Sequence, residues 1–183
     1  YKRQAETFDC GQCFRWEALP CDETNGIQKF SAVVRGRYTT VYKDNNVFVI
    51  EDCTEDELKD IFIDYFDLNL DYDAVRASLV QKLPILKDAA KNAPGIRILA
   101  QEPWEALCSF IISQNNNIPR IKGIISRLCE TFGKKCGESY TFPSAETLAV
   151  LEPDDLQNLR AGFRAGYIID GARKVASGEI DLE

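Results

Sequence analysis

The sequence predicts an α+β protein, an antiparallel sheet followed by a helical array packed against it. Two observations carry this. Between residues 8 and 50, β-branched and aromatic runs alternate with turn residues. From Thr54 onward, apolar residues recur at helical spacing instead. Hydrophobic content of 45% and charged content of 28% are those of a globular chain, not a disordered one. No apolar run reaches the length of a membrane span. The start, Tyr1-Lys2-Arg3-Gln4, has neither the apolar core nor the cleavage pattern of a signal peptide.

In chain order, Phe8–Trp16 reads as extended, with Phe8, Cys10, Gln12, Phe14 and Trp16 on one face. Phe30–Arg35 and Tyr38–Tyr42 surround Gly36, and Val47–Ile50 follows a turn at Asp44-Asn45-Asn46. Thr54 and Glu57 form a capping box, after which Leu58, Ile61, Phe62 and Tyr65 share a helical face. Helices continue through Asp73–Lys82 and Ile85–Asn92, closing at Pro94-Gly95. Pro103 starts a stronger helix with Trp104, Leu107, Cys108 and Ile111 as its apolar stripe. It breaks at Asn115-Asn116-Asn117. The next runs from Ile118 to Phe132, buries Ile121, Ile124, Ile125, Leu128 and Phe132, and is stopped by Gly133. Short helices start near Ser144 and Asp154, and a last one covers Ala165–Ala176. No internal repeat or low-complexity segment interrupts this order.

A net charge of -7 argues against a nucleic-acid partner if taken as a sum. Its distribution argues otherwise. Residues 51–73 carry ten acids and one base, Lys59, whereas residues 113–135 carry five bases and one acid, Glu130. A basic face can hold phosphate on an acidic protein, although two solvated helix faces would give the same pattern. Seven cysteines at irregular spacing, with no histidine, do not make a secreted disulfide framework. Reduced intracellular thiols fit better. Cys10-Gly11-Gln12-Cys13 has the spacing of a redox dithiol. It continues into Phe14-Arg15-Trp16 rather than opening a helix, and no second Cys pair or His completes a zinc site.

Two polar tips stand out. Ser113-Gln114-Asn115-Asn116-Asn117-Ile118-Pro119-Arg120 joins two amphipathic helices. An asparagine run makes an ordinary interhelical turn. It also puts neutral hydrogen-bonding groups beside the cation of Arg120, the pair needed to fill a hole in a DNA duplex. Arg160-Ala161-Gly162-Phe163-Arg164-Ala165-Gly166-Tyr167 sets an aromatic beside arginine between glycines, which suits a wedge between bases. A core phenylalanine with a surface arginine reads equally well there.

With Gly11-Gln12-Cys13-Phe14-Arg15-Trp16, then Ser109 through Ile121, then Gly162-Phe163-Arg164-Ala165-Gly166-Tyr167, the sequence resembles the 8-oxoguanine DNA glycosylases of the helix-hairpin-helix superfamily. The resemblance spans nearly the whole chain. It implies a twisted antiparallel sheet domain with flanking helices at 1–95 and the first part of the helical glycosylase domain at 96–183. It also implies roles. The Gly11 carbonyl faces the N7–H of 8-oxoguanine, where normal guanine carries a bare acceptor. Asn115 enters the space left by the flipped base. Arg120 and Arg164 bond to the orphaned cytosine, and Phe163 is the wedge, often tyrosine in this family.

The family's catalytic lysine and aspartate lie beyond residue 183, after a hairpin motif that this sequence does not reach. Lys174 sits in the wrong context to replace the lysine. With no methionine and this ending, the sequence reads as a piece of a longer chain. The implied function is bifunctional: excision of 8-oxoguanine opposite cytosine by base flipping, followed by strand cleavage at the abasic site. The piece alone is expected to be inactive. The alternative is a non-catalytic DNA-binding or damage-sensing module. No cofactor or metal is expected. The expected partner is double-stranded DNA bound by a monomer off the membrane, inside the cell: in the nucleoid of a bacterium or the nucleus of a eukaryote.

Overall fold

A computed structural model describes residues 3–21, 26–45, 47–92 and 95–182. Asn46 and Pro94, assigned above to a turn and a helix end, lie outside the described residues, as do Tyr1, Lys2 and Glu183. By contacts the chain forms two compact units, Tyr1–Gln12 with Asp52–Ala100 and Cys13–Glu51 with Gln101–Glu183.

The first unit opens with α1 (Arg3–Phe8). This corrects the extended reading of residues 8–16. Phe8 ends a helix, and Gly11 turns the chain at φ 86°, outside the strand region. Burial follows neither face of a strand, because Phe8, Cys13 and Trp16 are buried while Cys10 is exposed. Phe8 packs on Phe66, and Phe66 also meets Phe62 and Tyr65, so the four rings form the unit's aromatic centre.

The sheet of the second unit has the order β1 (Glu17–Ala18), β2 (Lys29–Val34), β3 (Arg37–Asp44), β4 (Val47–Ile50), all neighbours antiparallel. The strands expected around Gly36 are β2 and β3, paired from Lys29↔Tyr42 to Val34↔Arg37 across the two-residue turn Arg35-Gly36. Phe30 to Val34 are buried without alternation, as in a strand covered on both faces.

Back in the first unit, the Thr54 box forms as read. Thr54 Oγ1 accepts from the Glu57 amide, and the Glu57 carboxylate accepts from the Thr54 amide. The helix it starts is wound in three parts: α2 (Glu55–Glu57), a π-turn at Leu58–Phe62, and α3 (Ile63–Tyr65). Next come α4 (Tyr72–Lys82), capped by Asp71, a 3₁₀ turn at Pro84–Leu86, and α5 (Lys87–Asn92).

The helices of the second unit are α6 (Pro103–Ser113), α7 (Ile118–Phe132), α8 (Ala145–Ala149) and α9 (Arg164–Ala176). A small hairpin, β5 (Lys135–Cys136) and β6 (Ser139–Tyr140), follows α7, and a 3₁₀ turn spans Pro153–Leu159. Cys108, Ile112, Ile124, Leu128, Leu148, Leu156 and Ile168, all fully buried, belong to one core drawn from these elements. The antiparallel sheet and the helical array together bear out the α+β class. Gly133 ends α7 as read. Its φ is −84°, not left-handed, and a Cβ there would collide with the Thr141 carbonyl oxygen.

One buried ion pair crosses this unit. Arg15 Nη1 lies 2.8 Å from Glu105 Oε2, with the side chains 10% and 15% exposed. Arg15 Nη2 also donates to the Tyr140 carbonyl. Burial pushes the Glu105 carboxyl above its usual range, against the pull of Arg15. The folded state therefore holds this proton more tightly than the unfolded chain does. The group's contribution to stability is fully present below the ordinary glutamate value and is lost as pH rises through the raised one. Glu105→Gln is expected to remove that slope. In urea titrations the wild-type-minus-variant difference should shrink as pH climbs out of the ordinary carboxylate range, and a difference independent of pH would contradict the account.

Candidate functional site

In the second unit, the corner between α6 and α7 gives its three asparagines three different tasks. Asn117 caps α7: its Oδ1 accepts from the Arg120 amide at 3.0 Å. Asn116 ties the corner back, its Nδ2 donating to the Ile112 carbonyl and its Oδ1 accepting from the Asn117 amide, both at 3.0 Å. Asn115 does neither. It is exposed, its φ is 47°, and among the described residues no hydrogen bond uses its side-chain amide. An ordinary turn and an outward-facing asparagine are therefore both present, in adjacent residues. Arg120, exposed on the first turn of α7, reaches the Arg160 carbonyl with Nη2 at 3.4 Å.

The second tip adjoins this corner. Phe163 is 60% exposed and Tyr167, one turn along α9, is 57% exposed. Their rings meet edge to face at 6.1 Å. Arg164 is not surface decoration, for it is only 3% exposed. Its Nε and Nη2 donate to the Gln114 carbonyl, Nη2 also to the Asn115 carbonyl at 2.9 Å, and Nη1 to the Ala161 carbonyl at 3.2 Å. Its guanidinium carbon stands 4.5 Å from the Phe163 ring centroid. Arg127, partly buried on α7, grips the Leu159 carbonyl with Nε at 3.2 Å and Nη2 at 2.8 Å, just before the tip loop. Sequence reasoning missed Arg127 and Tyr167. Tyr167 shares a helical face with Phe163, a signal open to periodicity, whereas nothing local marks Arg127.

In the first unit, Gly11 lies exposed on the bend after α1 at φ 86°, and no hydrogen bond among the described residues ends on its carbonyl. A Cβ there would meet nothing within 4 Å, so glycine is required by backbone conformation and not by crowding. Gln12 braces the bend. Its Nε2 donates to the carbonyls of Thr7 and Arg97, both at 2.9 Å, and its Oε1 accepts from the Leu99 amide at 3.0 Å. This is a further role that the sequence reading missed.

Residues 3–107 match the family described as "8-oxoguanine DNA glycosylase, N-terminal domain". The chain belongs to that family. Residues 108–180 of this glycosylase-family chain match "HhH-GPD superfamily base excision DNA repair protein". It is 37% identical to the N-glycosylase/DNA lyase of Saccharomyces cerevisiae over 94% of its own length and 49% of the yeast protein. It superposes on the 8-oxoguanine glycosylase/lyase of Clostridium acetobutylicum, solved with double-stranded DNA carrying cytosine opposite 8-oxoguanine. That match has a TM-score of 0.88 and 37% identity, over 98% of this chain and 61% of that one. The 3-methyladenine DNA-glycosylase of Archaeoglobus fulgidus, 18% identical with a TM-score of 0.57 over 81% of this chain, shares the fold alone. The chain thus spans about half the length of the curated relatives it matches. Lys174 of the glycosylase-family chain lies on α9 with its ammonium 3.1 Å from Asp170, whose hydrogen bond raises the lysine's pKa. A nucleophilic amine needs the opposite shift.

Proposed function

We propose that this chain is the damage-reading part of a DNA glycosylase with lyase activity that excises 8-oxoguanine opposite cytosine. The observation that carries the reading is the outward Asn115 amide at a corner joined through Arg164 to an exposed aromatic tip. A flipped base leaves a gap of fixed size with a cytosine on its far side. Asn115 is the gap-filling group, the Arg120 guanidinium the donor to the cytosine acceptors, and the Phe163–Tyr167 pair the wedge that buckles the stack. The Gly11 carbonyl inspects N7 of the extruded purine. It attracts the hydrogen that oxidation places there and repels the lone pair of normal guanine. Arg164 is the second donor to the cytosine acceptors, four of its N–H groups resting on backbone carbonyls in the absence of DNA.

The protein works as a monomer inside the cell, where the DNA is. Among the described residues no helix is long and apolar enough to cross a membrane. The chemistry belongs to residues outside this chain. Borohydride trapping of the full-length protein on an 8-oxoguanine·cytosine duplex is expected to give a covalent adduct, and residues 1–183 alone to give none. No adduct from the full-length protein would favour a damage-sensing module instead.

A further inference from the structure

We propose that Arg160 is a phosphate-binding residue, its free guanidinium holding the backbone of the strand opposite the lesion beside the orphaned cytosine. The choice of strand rests on the cytosine-reading role given above to Arg120. Arg160 ends the 3₁₀ turn with a left-handed backbone at φ 56° and ψ 34°. Glycine adopts that conformation freely, whereas a residue with a Cβ does so at a cost. Such strain persists only where the surroundings impose it. Three successive carbonyls of the tip are each held by a different arginine: Leu159 by Arg127, Arg160 by Arg120 and Ala161 by Arg164. The Arg160 amide also donates to the Gln157 carbonyl at 3.0 Å.

The backbone of Arg160 is thus pinned, and its side chain is not. It is exposed, and among the described residues it makes no hydrogen bond or ion pair. The nearby acids do not claim it. Glu152 pairs with Arg173 at 2.7 Å, and Asp155 accepts from the Glu152 amide at 2.9 Å. Asp154 shares an open hollow with Arg160, Gly162 and Phe163 and still forms no pair with it. Among the described residues no carboxylate pairs with Arg120, Arg127, Arg160 or Arg164. Four guanidiniums without an acid make a local positive field on a chain whose net charge is -7. A phosphate is the group such a site takes, since arginine offers its oxygens both charge and paired N–H donors. Arg120 rests on the Arg160 carbonyl and Phe163 follows three residues later, so the free guanidinium stands beside the cytosine reader and the wedge. Contacts to the DNA backbone fix register without reading sequence. Arg160 therefore tightens binding whatever base lies opposite the lesion.

The test uses the full-length protein, a duplex with an abasic-site analogue opposite cytosine, and the variants Arg160→Gly and Arg160→Lys. Glycine keeps the left-handed turn, so Arg160→Gly is expected to melt no lower than the wild type. Its binding should weaken on the order of tenfold at low salt, and the slope of log affinity against log salt should shrink by about one. An unchanged slope overturns the proposal. Arg160→Lys keeps the charge and is expected to keep the slope. A slope lost with lysine too would trace the effect to the loop and overturn the proposal. Neutral methylphosphonate linkages flanking the orphaned cytosine should weaken the wild type roughly tenfold and leave Arg160→Gly unaffected. An equal loss in both proteins, or a matching effect only on the lesion strand, overturns the assigned contact. Preference for cytosine over adenine opposite the analogue should survive in Arg160→Gly. Its loss would make Arg160 a support for Arg120 and overturn the phosphate role. If Arg120→Ala keeps the wild-type preference, the cytosine-reading role fails, and the slope and linkage results decide the Arg160 contact without it.

Discussion

Arg15→Ala is expected to destabilise the protein by about 3–5 kcal/mol, the usual cost of removing one partner from a buried ion pair. The reason is the charge left behind. The Glu105 carboxylate is 15% exposed and loses both its Coulomb partner and a 2.8 Å hydrogen bond, while the Tyr140 carbonyl loses its donor. At roughly 2–4 °C per kcal/mol for a chain of this size, the melting temperature should fall by about 10 °C. The consequence reaches the site, because Glu105 stands on the first turn of the helix whose far end carries the asparagine corner. A second measurement separates the pair's net worth from the cost of breaking it. Arg15→Met with Glu105→Leu replaces both charges by apolar bulk and is expected to recover most of the loss. A single-variant loss below about 1 kcal/mol in denaturant unfolding would mean that the pair behaves as a solvated surface bridge.

The helices flanking the corner were legible because two independent signals agree there. An i, i+3, i+4, i+7 stripe gives the buried face, and Pro103, the asparagines and Gly133 mark the ends. Residues 8–16 were misread because alternation is a weak signal over so short a stretch. A helix end, a left-handed glycine and a bend place Phe8, Cys13 and Trp16 inside as well as a strand would. What holds the bend is Gln12 bonding to Arg97 and Leu99, partners more than eighty positions away that no local window contains. The two-residue strand β1 has both residues exposed and so leaves no hydrophobic trace. The π-turn inside the helix after Thr54 is equally silent, since Leu58, Ile61, Phe62 and Tyr65 keep the apolar spacing of an ordinary helix.

At the site, the residue types were legible and their orientations were not. Three consecutive asparagines are indistinguishable in sequence. Only the capping geometry of α7 and the carbonyl of Ile112 claim two of them and leave the third outward. Arg164 beside glycine and an aromatic reads as an exposed cation. It is buried because carbonyls some fifty positions earlier converge on it, and a buried charge is tolerated where its hydrogen bonds are satisfied.

Gly11→Ala is expected to cost the full-length protein its preference for 8-oxoguanine over guanine by roughly ten- to a hundredfold, the worth of about 1–3 kcal/mol of hydrogen bonding made or lost at N7. Alanine has room at this position, but a φ of 86° is unfavourable for any residue with a Cβ. The bend therefore relaxes toward negative φ and carries the carbonyl away from its direction. Gln12→Ala should act in the same sense without touching the glycine. It strips partners from the Thr7 and Arg97 carbonyls and the Leu99 amide, the groups that fix the bend. Both variants should leave discrimination for the opposite cytosine unchanged, because the residues proposed for that selection belong to the other unit. Excision rates on 8-oxoguanine·cytosine and guanine·cytosine duplexes, measured side by side, decide it. A variant that excises the lesion slowly but keeps its full preference over guanine would show that the carbonyl does not read N7.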